Sequence, residues 1–187
     1  NDTLTLSSGN DAVNLGDGSD VIDVTIGNLD ISDNISDNGV SGTDVLNITN
    51  SGTIDSENLI DVSGIETLNL SGGDDTITFD DVTDATKGFN AFRDEFTSIV
   101  DAGGNDTLSF GSTAVSGNLD FSKLGDFETL NLSSASDNLT ISGDEAATIN
   151  GLGGNDQFTL DFSTIRTLNG GADTDTVKLS GNTGTNI

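Results

Sequence analysis

The sequence predicts an all-β fold, an irregular parallel β-solenoid in which the short strands of successive coils stack on one another. Three observations lead to this prediction. An Asp followed by two in-phase apolar residues recurs nine times, Gly-rich turns precede most of these Asp residues, and the 187 residues include no Pro. Proline lacks the N–H group that a central strand donates, so its absence suits uninterrupted sheets. One coil cannot bury its own apolar face, so the stack is the cooperative unit.

Each repeat reads as Asp, any residue, apolar residue, any residue, apolar residue. This is the period-two alternation of a strand that buries one face. The aspartates begin at Asp2 and are spaced 9, 9, 24, 31, 31, 31, 19 and 19 residues apart. Two nine-residue steps equal one 18-residue coil, so all of these spacings fit a solenoid of variable circumference. We therefore expect one Asp at the same height in every coil.

A second strand precedes most of these turns. Asp37 stands seven positions before Asp44, whereas the residues at this position before other repeats are apolar: Val13, Leu68, Ile99, Leu130, Ile149 and Leu168. The sequence Glu-Thr-Leu-Asn-Leu at 66–70 recurs at 128–132, and Arg-Thr-Leu-Asn at 166–169 is a partial third copy. Each coil is predicted to contain a strand, a tight turn, a second strand and a return of variable length.

The turns concentrate negative charge. Thirty-two Asp and Glu against five Lys and Arg give a formal charge of −27, which opposes compaction. Gly in the turns permits positive φ and exposes backbone carbonyls, while the Asp that follows supplies a carboxylate. Ca²⁺ prefers roughly six to eight such oxygen ligands in flexible geometry. A cation between stacked turns is therefore expected, although Asp also stabilises turns without metal through Asx-type hydrogen bonds.

The turn at 151–159, Gly-Leu-Gly-Gly-Asn-Asp-Gln-Phe-Thr, resembles the repeats-in-toxin (RTX) nonapeptide, with Leu152 in place of its second Gly. Residues 16–23 match as well, whereas Ala135 and Asp173 replace the fourth-position Gly. The resemblance implies a parallel β-roll that holds several Ca²⁺ ions along one edge. The metal ligands it implies are Asp2, Asp11, Asp20, Asp44, Asp75, Asp106, Asp137, Asp156 and Asp175.

Two insertions are expected within a single module covering 1–187, at about 25–43 and 80–99. The first contains Asp30, Asp33 and Asp37, which could form a cation site open to a ligand, or alternatively a solvated acidic loop. In the second, Phe89, Phe92, Phe96 and Ile99 have the spacing of a short amphipathic helix. That helix is expected to cover the solenoid.

Arg93 lies within the second insertion and is the candidate partner for an anionic group of a ligand. Together with Asp30, Asp33 and Asp37 it completes the predicted ligand-binding set. The alternative is that the helix only packs against the solenoid.

The composition excludes several classes of function. No Cys and no His are present, so thiolate metal sites, disulfides and imidazole catalysis are excluded. The negative charge disfavours nucleic acid and anionic membrane surfaces as partners. No apolar stretch reaches membrane-spanning length and no signal peptide is present. The absence of Met at Asn1 indicates a piece of a longer polypeptide.

The resemblance implies an extracellular module of a large type I-secreted bacterial adhesin, monomeric and flanked by other domains of the same chain. We expect it to bind a peptide or protein, or a glycan, on another cell surface in the presence of calcium. A calcium-binding spacer without ligand is the main alternative. Ice binding needs a regular array, which the unequal coils are expected to disrupt. A polysaccharide-active enzyme is disfavoured because basic residues are scattered, so no catalytic residue is predicted.

Overall fold

The computed structural model describes residues 1–79, 96–122, 127–143, 148–161 and 167–180. They form a parallel β-solenoid, which confirms the predicted all-β fold. Adjacent strands pair in parallel throughout the described residues. Helical structure in this part of the chain is limited to two 3₁₀ turns, Ile26–Asn28 and Ser56–Leu59.

The strands, numbered in chain order, form four sheets. Sheet A contains β1 (Thr3–Thr5), β3 (Val21–Val24), β5 (Val45–Ile48), β8 (Thr67–Asn69) and β10 (Ser98–Val100). Sheet B contains β2 (Ala12–Asn14), β4 (Asn34–Ser36) and β7 (Val62–Ser63). Sheet C contains β6 (Thr53–Asp55), β9 (Thr76–Phe79), β11 (Thr107–Phe110), β13 (Thr129–Asn131), β15 (Thr148–Asn150) and β17 (Thr167–Asn169). Sheet D contains β12 (Ser116–Asp120), β14 (Asn138–Ser142), β16 (Gln157–Asp161) and β18 (Thr176–Leu179).

The coil changes shape along the chain. The first four strands alternate between sheets A and B. The strands β5 to β9 visit sheets A, C and B, and from β11 onwards the chain alternates between sheets C and D. The variable coil lengths therefore reflect a change from one pair of sheets to another.

The apolar residues of the repeat fill a continuous core between the sheets. Ile22 pairs with Leu46, and Leu46 pairs with Leu68, so that inward positions stack directly from coil to coil. Phe79 and Phe110 pair in the same way, and their rings stack with centroids 5.0 Å apart. The outermost coils are less covered. Exposed apolar side chains there are Leu4, Val177 and Leu179.

The segment 25–43 is a rung of the solenoid, contrary to the expected interruption. Its strand β4 pairs with β2 on one side and β7 on the other, and Ile35 within it is fully buried. Leu29 and Asp33 are also buried. The solvated-loop interpretation is therefore wrong for this part, because its apolar side chains complete the core of the second coil.

The predicted helix at 80–99 falls mostly on residues 80–95, outside the described residues, as do Phe89, Phe92 and Arg93. Phe96 is buried. Ile99 lies in strand β10 and pairs with Leu68, so the helical spacing does not continue to this residue. Its position seven residues before Asp106 predicts a strand, and that prediction is confirmed.

Unequal coils do not disrupt sheet C, contrary to expectation. Its six strands start 23, 31, 22, 19 and 19 residues apart, and they are nevertheless paired in register from β6 to β17. The returns outside the sheet absorb the difference in length. A regular outer surface therefore coexists with an irregular sequence repeat.

Candidate metal-binding turns

The nine predicted ligands do not form one column. Each lies directly before a strand, and the strands belong to different sheets. The aspartates therefore form four columns: Asp2, Asp20 and Asp44 at sheet A; Asp11 at sheet B; Asp75 and Asp106 at sheet C; and Asp137, Asp156 and Asp175 at sheet D. The expectation of one height in every coil is wrong because the chain changes sheets between these repeats.

Within each column, one carboxylate oxygen accepts a hydrogen bond from a backbone N–H of the preceding coil. The Asp20 N–H donates to Asp44 Oδ1 over 2.7 Å, and the Asp44 N–H donates to Glu66 Oε2 over 2.8 Å. The other bonds of this carboxylate ladder join Asp2 to Asp20, Asp11 to Asp33, Gly52 to Asp75, Asp75 to Asp106, Asp106 to Glu128, Val115 to Asp137, Asp137 to Asp156, and Asp156 to Asp175. These charge-assisted bonds satisfy amides at the strand starts and require no metal.

Glu66 and Glu128 belong to the ladder and were missed by the sequence prediction. Glu128 Oε2 accepts the Asp106 N–H over 2.7 Å, as Glu66 does for Asp44. The repeated Glu-Thr-Leu-Asn-Leu sequence carried the signal, because it places an acid immediately before a strand. The longer side chain takes the place of Asp in coils that lack a Gly-rich turn.

The aspartates with buried carboxylates differ in whether the second carboxylate oxygen has a hydrogen-bond partner. Asp75 Oδ2 accepts the N–H and hydroxyl of Ser71, and Asp137 accepts the same two groups from Ser133. By contrast, certain buried Oδ2 atoms have no hydrogen-bond partner in the described part of the chain. They belong to Asp11, Asp20, Asp106 and Asp156.

The residue four positions earlier explains most of this difference. Ser71 and Ser133 stand four residues before Asp75 and Asp137, whereas Gly16, Ala102 and Leu152 stand there before Asp20, Asp106 and Asp156. Only Ser carries a hydroxyl donor. Half-buried Asp11 departs from the pattern, since it follows Ser7 at the same spacing.

Asp106 and Asp101 form a close acidic pair. Asp106 is fully buried, and neither Asp106 Oδ2 nor Asp101 Oδ1 has a hydrogen-bond partner within the described residues. Burial raises the pKa of Asp106 to about 7, and the neighbouring Asp101 carboxyl raises it further. Two carboxyl groups this close resist ionising together, so one of them favours a proton. A cation could replace that proton, and Asp101 was not among the predicted ligands.

Three further aspartates of the columns are unfavourable as bare anions. Burial is the largest cause that raises the pKa of Asp44, Asp137 and Asp156 above its ordinary value. At Asp44 the negative charges of Asp37 and Glu66 raise it further. Backbone donors oppose these shifts without cancelling them, so a proton or a nearby positive charge would stabilise these carboxyl groups.

An acidic pocket of about 210 Å³ lies beside the turn at 37–44, with Glu66 of the next coil on its other side. Its lining includes Asp37, Asp44 and Glu66, together with the backbone of Gly39 and Gly42. Asp37 Oδ1 is buried and has no hydrogen-bond partner within the described residues. The pocket thus joins one predicted metal ligand, one predicted ligand-binding residue and one acid that was not predicted.

The remaining predicted ligand-binding residues are placed differently. Asp33 is buried and accepts the N–H groups of Asp11 and Asp30, over 2.9 and 2.8 Å. Asp30 accepts the Ser32 N–H, while Asp37 Oδ2 accepts the Gly39 N–H. Asp33 therefore supports the fold, and of the three described members of this set only Asp37 borders the pocket. Arg93 lies outside the described residues.

The turns fit calcium through mixed oxygen ligands. Across the described residues, no three Asp or Glu side chains converge closely enough to hold an ion by themselves. Backbone carbonyls would therefore have to contribute to any metal site at these turns. A Cβ built on Gly151 would collide with both the Gly170 carbonyl oxygen and Asp156 Oδ2, so these two oxygens converge on a space kept open by glycine. A hard cation prefers this kind of donor set.

Comparison with protein-family models, curated proteins and solved structures finds no match. In the described part of the chain, no helix has the length and apolar character needed to cross a membrane.

Proposed function

We propose that this chain is a calcium-dependent adhesion module, a non-catalytic solenoid exported to the cell surface in which Ca²⁺ lies between successive turns. The observation that carries the proposal is the set of buried carboxylate oxygens without hydrogen-bond partners in the described coils, at Asp20, Asp106 and Asp156. Asp101 would share the ion held by Asp106, and the Gly170 carbonyl would share the ion held by Asp156. The bound ions would supply the positive charge that the turns lack.

The energetics favour coupling between metal and fold. A buried carboxylate without a partner destabilises the folded state, whereas the same group paired with a cation stabilises it. The unfolded chain has no preformed site, so the free energy of binding becomes free energy of folding. A chain with charge −27 then folds where calcium is abundant, as it is outside cells.

For the ligand, we propose a peptide or protein whose carboxylate completes the shell of a Ca²⁺ ion in the acidic pocket. The pocket is open, and Asp37, Asp44 and Glu66 supply its acidic lining. A carboxylate would not enter so negative a site without an intervening cation. The proposed recognition therefore depends on calcium.

Circular dichroism during a calcium titration tests the metal proposal. The chelated protein at pH 8 is expected to be largely unfolded, and calcium is expected to produce the β-sheet spectrum. An identical β-sheet spectrum and an identical melting temperature with EDTA and with calcium would overturn it.

A peptide array probed with and without chelator tests the ligand proposal. Wild-type protein is expected to bind peptides with a free carboxyl terminus only in calcium, and Glu66→Gln is expected to weaken that binding. Asp61→Asn, which also replaces a carboxylate by its amide but at an exposed position away from the pocket lining, serves as the matched control. Binding that is unchanged by EDTA would contradict the proposal.

A further inference from the structure

The outer face of sheet C carries a regular array of hydroxyl and amide groups. Its first file is Thr in all six strands, and each Thr pairs in register with the next. The file is Thr53, Thr76, Thr107, Thr129, Thr148 and Thr167. The second file lies two residues further along each strand and consists of Asp55, Thr78, Ser109, Asn131, Asn150 and Asn169. We call these twelve residues the Thr–Asn face.

Side-chain contacts keep neighbouring strands of this face aligned. Asn150 Nδ2 donates to Asn131 Oδ1 over 2.8 Å, which links two rungs of the second file. Beneath the face, the stacked rings of Phe79 and Phe110 differ by only 18° in orientation. Such ladders oppose the twist that sheets otherwise adopt. Branching at Cβ also restricts the Thr side chains to few rotamers.

The dimensions of the face follow from sheet geometry. Neighbouring strands are about 4.8 Å apart, and residues two positions apart on one strand are about 6.6 Å apart. Six strands therefore give two files of polar groups roughly 24 Å long. The pattern is periodic in two directions, unlike a pocket shaped around one small molecule.

The face is almost free of charge on a strongly acidic chain. Of the twelve side chains, only that of Asp55 is ionisable, and Asp55 accepts the Glu57 N–H at the start of a 3₁₀ turn. The whole chain carries 32 acidic residues. The occupant that matches this face is therefore uncharged, periodic and rich in hydrogen-bonding groups.

We infer that the Thr–Asn face binds the surface of ice, a function beyond the proposed adhesion through calcium. An ice surface is an uncharged two-dimensional lattice of hydrogen-bond donors and acceptors, and it can register with rigid hydroxyl and methyl groups. Crystalline polysaccharide is periodic as well, but sugar rings stack on aromatic side chains, and the twelve residues include none. Ice is therefore the occupant that the array favours.

Ice-recrystallisation inhibition and thermal hysteresis test this inference. The protein is used in whichever buffer gives it a β-sheet spectrum, with or without calcium. The double variant Thr107→Lys/Thr129→Lys places two long charged side chains at the middle of the first file. The matched control, Thr140→Lys/Thr159→Lys, changes two paired outward positions of sheet D in the same way.

Wild-type protein and the sheet D control are expected to inhibit recrystallisation, and the sheet C variant is expected to lose this activity with its β-sheet spectrum unchanged. Folded wild-type protein without activity would overturn the inference, and so would equal activity in both variants. Retention of the folded protein on cellulose or chitin without any effect on ice would replace ice by a glycan. None of these outcomes tests the calcium proposal, which is tested by the calcium titration alone.

Discussion

At the scale of single residues, buried aspartates that look alike in sequence make different contacts. Asp137 is fully supplied with donors by Ser133 and by a backbone amide, whereas Asp156 has a buried oxygen without a partner in the described structure. Both follow Gly- or Ser-rich turns. The proposal therefore assigns calcium unevenly along the solenoid, to Asp156 and Asp106 before Asp137 and Asp75.

Asp106→Asn is expected to uncouple stability from calcium at one turn. Without calcium at pH 8, the variant should be more stable than wild type by about 1–3 kcal/mol, because it removes a buried unpartnered charge. Saturating calcium should raise the stability of this variant by less than it raises the stability of wild type. Circular dichroism at pH 8 measures both quantities, the first as the folded fraction in EDTA and the second as the increase in that fraction during a calcium titration.

Asp61→Asn is the matched control, since Asp61 is exposed and carries the same change in charge. Asp75→Asn should lower stability in both buffers, because the Ser71 donors lose part of their acceptor. If Asp106→Asn and Asp61→Asn gave the same calcium dependence, the assignment of an ion to Asp106 would be wrong.

Leu152 and Asp173 show what the departures from a Gly-rich turn do to the backbone. Their φ angles are +67° and +79°, in the left-handed region that favours glycine. Leu152→Gly is expected to stabilise the protein by about 0.5–1 kcal/mol, because the left-handed conformation costs a side chain more than glycine. Thermal unfolding in calcium measures the change. Leu152→Ala retains the Cβ and should give no such gain in stability. An equal gain in both variants would show that removal of the exposed leucine side chain, and not relief of the backbone conformation, causes the effect.

At the scale of elements, the carboxylate ladder makes the metal-free fold sensitive to pH. Burial raises the pKa of Asp44, Asp106, Asp137 and Asp156 above the ordinary 3.8, to about 7 at Asp106. The folded state therefore binds more protons than the unfolded state between pH 4 and 7. These carboxyl groups therefore contribute stability that is fully present below the unfolded pKa and is lost as the pH rises through the folded pKa.

Circular dichroism in EDTA at pH 5 and pH 8 checks this dependence, because the folded fraction of the chelated protein reports its stability at each pH. We expect the chelated protein to be more stable at pH 5, and we expect calcium to reduce the difference because a bound cation replaces the proton. Stability in EDTA that rose with pH would show that the buried carboxylates do not dominate the balance.

The strands could be predicted from sequence, whereas the columns could not. Alternation after each Asp located strands such as β11 and β14, since a side-chain period of two is a local property. The assignment of β11 to sheet C and β14 to sheet D depends on the length and path of the returns, which no local pattern encodes. For the same reason, Asp106 and Asp137 had been expected to stack on each other.

The candidate site was only partly predictable. Asp106 could be found because it begins a repeat, but Asp101 is brought next to it by the turn and has no repeat of its own. Glu66 and Glu128 were visible as a repeated segment without an assigned role. The Thr of the same segment, at 129, belongs to a face that emerges only when strands 19 to 31 residues apart are stacked.

At the scale of the whole molecule, stability comes from contacts between neighbouring coils. Phe110 is almost completely buried and stacks on Phe79 of the preceding rung. Phe110→Ala is expected to cost about 3–5 kcal/mol, since truncation leaves a cavity between coils. Denaturant unfolding in calcium measures the loss. Val40→Ala, at a position that is 91% exposed, should change stability little, and comparable losses in the two variants would contradict a core continuous through Phe110.

The bonds of the carboxylate ladder all point the same way, from an amide in one coil to an acid in the coil that follows. Any cut through the solenoid therefore produces two unlike surfaces, one presenting amide donors and the other presenting anions. A coil can add in one orientation only, because a reversed coil would place acid against acid. The solenoid thus has a polarity, and removing coils from opposite ends should cause chemically different defects: orphaned amides at one, unpaired negative charge at the other.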